Sequence, residues 1–214
     1  MKSISKILGI IILTIMLTSC STVKVINTWN ESTTPNLQDK CIMVISNTDN
    51  HIVRSQFEND LVKKLKENGF HAMESSTIFP KIDTSVKLSD TEIQEITSDL
   101  KSRGIQMIMV TVLKDTQEYT KTETTGGTSV RSIPRLWYYN GFYYYYNSFY
   151  IESEPINSIT YTGKKHILET VIYDLTKPDK QQLVSVITTE TDNPKSIGIV
   201  SKDFSKRIVH ELVN

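Results

Sequence analysis

Hydrophobic positions along the chain alternate between two repeat lengths. Residues 41–46 (CIMVIS) form an unbroken apolar run bounded by polar residues, the pattern of a strand buried on both faces. Val53, Phe57, Leu61 and Leu65 then recur every four residues and define one apolar helix face. Thr48, Asp49 and Asn50 offer caps before it, and Gly69 offers the left-handed stop after it. Residues 70–75 predict a second strand, and the intervening crossover is long enough for right-handed parallel pairing. Ser89-Asp90-Thr91-Glu92 reads as a capping box, with Leu88 and Ile93 placed to close a hydrophobic staple. Ile93, Ile96 and Leu100 predict the core side of this helix, and Arg103-Gly104 its end. Residues 106–113 (QMIMVTVL) predict a buried strand, and the alternation over 115–125 a strand leaving the core. Residues 160–175 and 183–191 predict long antiparallel strands joined at Lys177-Pro178-Asp179-Lys180. Asn193-Pro194 predicts the start of a last helix, with Ile197, Val200, Phe204, Ile208 and Leu212 as its stripe.

This order, β-α-β-α-β-β-β-α, predicts an α/β (α+β) fold with a mixed sheet and helices packed on one face. Residues 39–214 form one such domain, with a Tyr-rich insert at about 123–157. Residues 20–38 are rich in Ser, Thr and Asn and read as a tether. Within them Val23-Lys24-Val25-Ile26 offers a short edge strand, and Trp29 a ring to pack on the body.

The N-terminus changes the picture more than composition does. Lys2 and Lys6 precede a nearly unbroken apolar run over residues 7–17, and Leu17-Thr18-Ser19-Cys20 closes it. That is a secretory signal over residues 1–19, too short for a spanning helix. The ending resembles the lipobox of bacterial lipoproteins. The resemblance implies cleavage before Cys20 and acyl chains such as palmitate on its sulfur and amine. Two or more chains give stable anchoring. Ser21, where sorting rules of double-membrane bacteria place Asp for retention, implies an outer-membrane location in the cell envelope. Without Lys2 and Lys6, 22 Lys and Arg face 24 Asp and Glu, so no basic excess favours nucleic acid. Once Cys20 is acylated, Cys41 has no intramolecular partner, and its apolar neighbours predict a buried, inert thiol.

Residues 137–150 (WYYNGFYYYYNSFY) hold ten aromatics in fourteen positions. Trp137, Tyr138, Tyr139, Phe142, Tyr143, Tyr144, Tyr145, Tyr146, Phe149 and Tyr150 are the candidate interaction residues. Tyrosine carries an apolar ring and a polar tip, which suits wet interfaces, sugars and headgroups. Three uses remain open: rings packed on their own sheet, a surface for a partner protein or glycan, or a loop resting on a membrane. His51, His71, His166 and His210 show no metal-binding spacing, and no phosphate-cradling or nucleophile motif occurs, so neither metal nor cofactor is expected. Arg54 and Glu58 can pair on one helical turn. Glu169 and Glu190 lie on neighbouring predicted strands, either as an acid/base pair or as solvent-facing or salt-linked residues.

Taken in order, several pieces resemble a family of lipoproteins from Bacteroidetes and related bacteria. They are Thr28-Trp29, the strand IMVIS, Arg54 with Glu58, Gly69, a serine strand end and Pro80. Farther on come Glu169, Tyr173-Asp174, and Thr189-Glu190-Thr191 before a proline. The resemblance implies a fold similar to the N-terminal domain of the periplasmic TolB protein and to the curli secretion-channel lipoprotein, and no catalytic residue. The expected function is a non-enzymatic, tethered binding or assembly module that presents the Tyr-rich loop. The alternatives are a hydrolase-type enzyme using the strand carboxylates, or a subunit of an envelope transport or secretion assembly.

Overall fold

The computed structural model describes residues 22–32, 37–80, 89–119, 141–142, 163–192, 194 and 196–213. In chain order its elements are β1 (Val23–Asn30), β2 (Cys41–Asn47), α1 (His51–Glu67), β3 (His71–Glu74), α2 (Asp90–Ser102), β4 (Met107–Tyr119), β5 (Gly163–Asp174), β6 (Leu183–Asp192) and α3 (Ile197–Val213). The strands form one mixed six-stranded sheet in the order β1-β6-β5-β4-β2-β3. β2 pairs in parallel with β3 and β4, and the remaining pairs are antiparallel.

Local chemistry sets the helix ends. The Asn50 side chain accepts from the amides of Ile52 (3.0 Å) and Val53 (3.2 Å). Gly69, at φ +84°, lets the Phe70 amide reach back to the Leu65 carbonyl (3.1 Å), a Schellman closure. Gly104, at φ +79°, does the same for α2, with Ile105 bonded to Leu100 (3.0 Å). The capping box forms in both directions, Ser89 accepting from Glu92 and Glu92 from Ser89. α3 begins at Ile197, later than the Asn193-Pro194 signal; Ser196 takes the cap, its Oγ accepting from Ile199 (3.4 Å).

The expectation that the helices share a face is corrected. Ile42 and Val44 of β2 pack with Phe57, Leu61 and Leu65 of α1 and with Phe204 and Ile208 of α3. Met43 and Ile45, pointing the other way, pack with Ile96 and Leu100 of α2. The reason is strand order. From β2 the chain moves outward to β3, then returns past β2 to β4. Two right-handed crossovers in opposite directions place their helices on opposite faces. Both faces of the parallel strands are thus buried, and Ile42, Val44, Met107, Ile108, Met109 and Val110 are fully inaccessible. Burying such a side chain contributes about 1.5–3 kcal/mol.

Within the segment read as a tether, the edge strand offered at Val23–Ile26 extends over residues 23–30 as β1, paired antiparallel with β6, and Leu37 is buried in a single 3-10 turn (Leu37–Asp39). The register slips between Val25 and Asn27, so Ile26 is an extra, bulged residue. That slip switches the faces: Val23 and Val25 pack with the α1–α3 layer, and Trp29 with the α2 layer. Cross-strand pairing along β6 and burial sites for Val23, Val25 and Trp29 outweigh the turn-like composition.

Candidate interaction site

Phe142 is the one candidate aromatic among the described residues; Cys20 and the other nine aromatics lie outside them. Its ring meets the fully buried Tyr173 ring at 66°, with centroids 6.2 Å apart. Such edge contacts add about 0.5–1.5 kcal/mol to the area buried. Gly141 precedes it at φ +95°, where a Cβ would stand 3.3 Å from Asp179 Cβ and 3.4 Å from the Asp179 carbonyl oxygen. The positive φ favours glycine, and a Cβ would also crowd the Asp179 turn. The β5–β6 turn it touches is itself held, since Gln182 Nε2 donates to the Lys177 carbonyl (3.2 Å) and to Asp179 Oδ1 (3.1 Å). Gly141-Phe142 therefore gives the aromatic insert a fixed point on the body.

Between that point and α2 lies a cavity of about 560 Å³, lined by Asp90, Ile93, Thr97, Lys101, Asp179 and Gln182 among others. Ile93, expected in the core, lines this cavity instead, while Ile96 and Leu100 reach the sheet. Hydroxyl, amide and carboxylate groups beside an aromatic wall can bind a polar group by hydrogen bonding. Sequence spacing gave no sign of this cavity, because its walls come from three separated segments that only the sheet brings together.

The carboxylates singled out from sequence are committed to ion pairs. Glu169 is not solvent-facing: it is buried, and Lys114 Nζ stands 2.7 Å from it. Lys114 reaches it because the β4–β5 register slips between Leu113 and Asp115. Glu190 is 3.1 Å from Lys165 Nζ. Glu169 lies opposite Thr188, two residues from Glu190, so both carboxylates share the α2 face, each beside its own lysine. Arg54 pairs with Glu58 as the spacing predicts (3.0 Å), and both are buried. Asp174, whose partner the sequence does not indicate, is buried against Lys40. Burial alone would raise its carboxyl, but the Lys40 ammonium and the hydroxyl and amide of Thr176 hold it below the ordinary value.

The histidines are scattered. His51, His71 and His210 are exposed on three different elements. His166 is half-buried, its Nδ1 3.1 Å from Thr116 Oγ1. Burial, and then the Lys164 charge, lower its pKa. Among the described residues no three His, Cys, Asp or Glu side chains cluster as metal ligands. Cys41 is half-buried at the start of β2, and burial raises its thiol pKa. No helix among the described residues is long and apolar enough to cross a membrane.

No family model matches the chain, and no curated protein matches it. Among solved structures it is similar to PelC of the dodecamer from Paraburkholderia phytofirmans, at 9% identity over 89% of this chain and 96% of that one, with a TM-score of 0.46. It is similar to lipoprotein GNA1162 from Neisseria meningitidis, at 8% identity over 82% and 99%, with a TM-score of 0.39. A DUF4136 family protein from Bacteroides thetaiotaomicron is also similar, at 8% identity over 89% and 93%, with a TM-score of 0.36.

Proposed function

We propose that this chain is a non-enzymatic lipoprotein of the bacterial cell envelope, anchored to the outer membrane through acyl chains on Cys20. Its α/β body is a binding or assembly module, and its aromatic insert engages an envelope protein or a glycan. The observation that carries this reading is the fixed point at Gly141-Phe142. Phe142 is seated on Tyr173, and Gly141 lies against the Asp179 turn beside a polar cavity. An insert held rigidly at one point loses less entropy when it binds than a free loop does. Tyrosine rings supply contact area at low side-chain entropy cost. Commitment of Glu58, Glu169 and Asp174 to buried ion pairs supports a structural use of these carboxylates.

The test is replacement of Tyr143, Tyr144, Tyr145 and Tyr146 by Ser, with a photocrosslinking probe placed within residues 137–150 in living cells. The expected result is an unchanged far-ultraviolet spectrum and melting temperature with loss of the crosslinked partner. Unfolding of the variant, or crosslinking that persists at full yield, would overturn the interaction role.

A further inference from the structure

The contacts of Thr22, two residues after Cys20, limit how far the body can stand from an anchor there. Thr22 is pinned to α3: its amide donates to Asp203 Oδ2 at 2.9 Å and its hydroxyl to the same oxygen at 3.0 Å. β1 starts at the next residue, and Val23 is fully buried. Ser21 alone separates Cys20 from this pinned residue. Two residue steps span at most about 7 Å. A lipid-bearing Cys20 therefore leaves no leash on which the body could tumble.

The end of the molecule at that short span is defined by the strand register. Val23 lies across from Thr191, which lies across from His166, which lies across from Thr116. This is the end where β1 and β5 begin and where β4 and β6 finish. β2 runs toward it, so α1 starts there, and α3 starts there after β6. Large apolar side chains are exposed at the same end: Ile52 (77%) in the first turn of α1, and Ile197 (44%) and Ile199 (48%) in the first turn of α3. Ile26 (50%), on the β1 bulge, and Leu113 (39%), midway along β4, are exposed farther up the sheet. The lysines of β5 here are answered within the protein, Lys164 by Glu118 (2.7 Å) and Lys165 by Glu190 (3.1 Å). The surface offered at this end therefore sets exposed isoleucines beside a few exposed cations, Lys24 and Lys202 among them.

We propose that this end is a membrane-contact surface, with the phospholipid bilayer that holds the anchor as its occupant. The sheet stands with its β1-start end down, and Ile52, Ile197 and Ile199 seat in the headgroup region. The inference rests on lipid attachment at Cys20. Apolar side chains at an interface bind in proportion to the area they bury, and the short span supplies the local concentration. One consequence bears on the aromatic insert. Phe142 packs on Tyr173, ten residues along β5 from Gly163 and hence about 33 Å from the bilayer end. The fixed point of the insert therefore faces away from the membrane, which favours a partner over a membrane-resting loop.

The test uses the full-length, lipidated protein with Cys41→Ser, reconstituted into phosphatidylethanolamine–phosphatidylglycerol vesicles. A fluorophore is placed through Ile199→Cys or, at the opposite end of α3, through Val213→Cys. The expected result is flotation with the vesicles and several-fold stronger quenching by headgroup spin-labelled lipid at position 199 than at 213, with iodide quenching in the reverse order. Protein that fails to float refutes the anchor and this surface with it. Protein that floats but shows equal or reversed lipid quenching refutes the surface and leaves the anchor standing. A label at 199 shielded from both quenchers points to a protein occupant, a second copy included, and equally overturns the bilayer contact.

Discussion

Glu58 accepts hydrogen bonds from four donors in the protein interior: the amides of Ser46 and Ser76 (each 3.1 Å), the Ser75 hydroxyl (2.7 Å) and Arg54 Nε (3.0 Å). Arg54 Nη2 continues the network to Ser75 Oγ (2.7 Å) and the Phe79 carbonyl (2.8 Å). One carboxylate thus ties α1 to the ends of β2 and β3. Removing one partner of such a pair leaves a buried charge, so Glu58→Ala should lose about 3–5 kcal/mol of stability in urea unfolding. Replacing both at once, Arg54→Met with Glu58→Leu, should cost clearly less than Glu58→Leu alone. Asp174 sets an acid limit. Its folded carboxyl lies below the unfolded value, so its stabilisation is complete above about pH 4 and is lost as pH falls through the folded pKa. Asp174→Asn should lower the melting temperature at neutral pH and flatten the fall below about pH 4, as calorimetry across pH would show.

Each helix end is legible because its chemistry is local. Gly69 and Gly104 both close Schellman motifs at positive φ, and a Cβ at Gly104 would meet nothing within 4 Å. Gly104→Ala therefore isolates the backbone cost of the left-handed conformation, expected to be about 1–2 kcal/mol by chemical denaturation. β1 was harder to read. Its Thr- and Asn-rich surroundings suggest a linker, and its apolar positions fall out of alternation at the Ile26 bulge. The strand is favoured by the open edge of β6, which lies more than 150 residues away in sequence. The sheet face that receives α2 is hidden from the sequence for a related reason. Amphipathic spacing says which side of a helix is apolar, and the strand order says which face of the sheet receives it.

For the whole molecule, β1 closes one side of the sheet over the long β6, and the four-residue β3 closes the other. Exposed long edges invite intermolecular pairing. A chain lacking residues 1–30 should therefore aggregate or oligomerise in size-exclusion chromatography, where one beginning at Ser21 stays dispersed. That outcome would establish residues 23–30 as part of the body rather than a tether. The buried start of the same strand lies only three residues after Cys20, the anchor site proposed above.

Hydrophobic spacing, caps and glycine stops determined the elements and the mixed α/β class, since these depend on contacts within a few residues. Of the candidate site residues, the aromatic set and the lipobox-like cysteine stand out as composition and motif, and the Arg54–Glu58 pair as helical spacing. Tertiary structure alone decided the strand order, and with it the two-faced placement of the helices. It also placed Gly141-Phe142 against the Asp179 turn and brought Glu169 to Lys114 through a register slip. Those outcomes depend on which distant surfaces can be buried together, and a linear pattern does not carry that information.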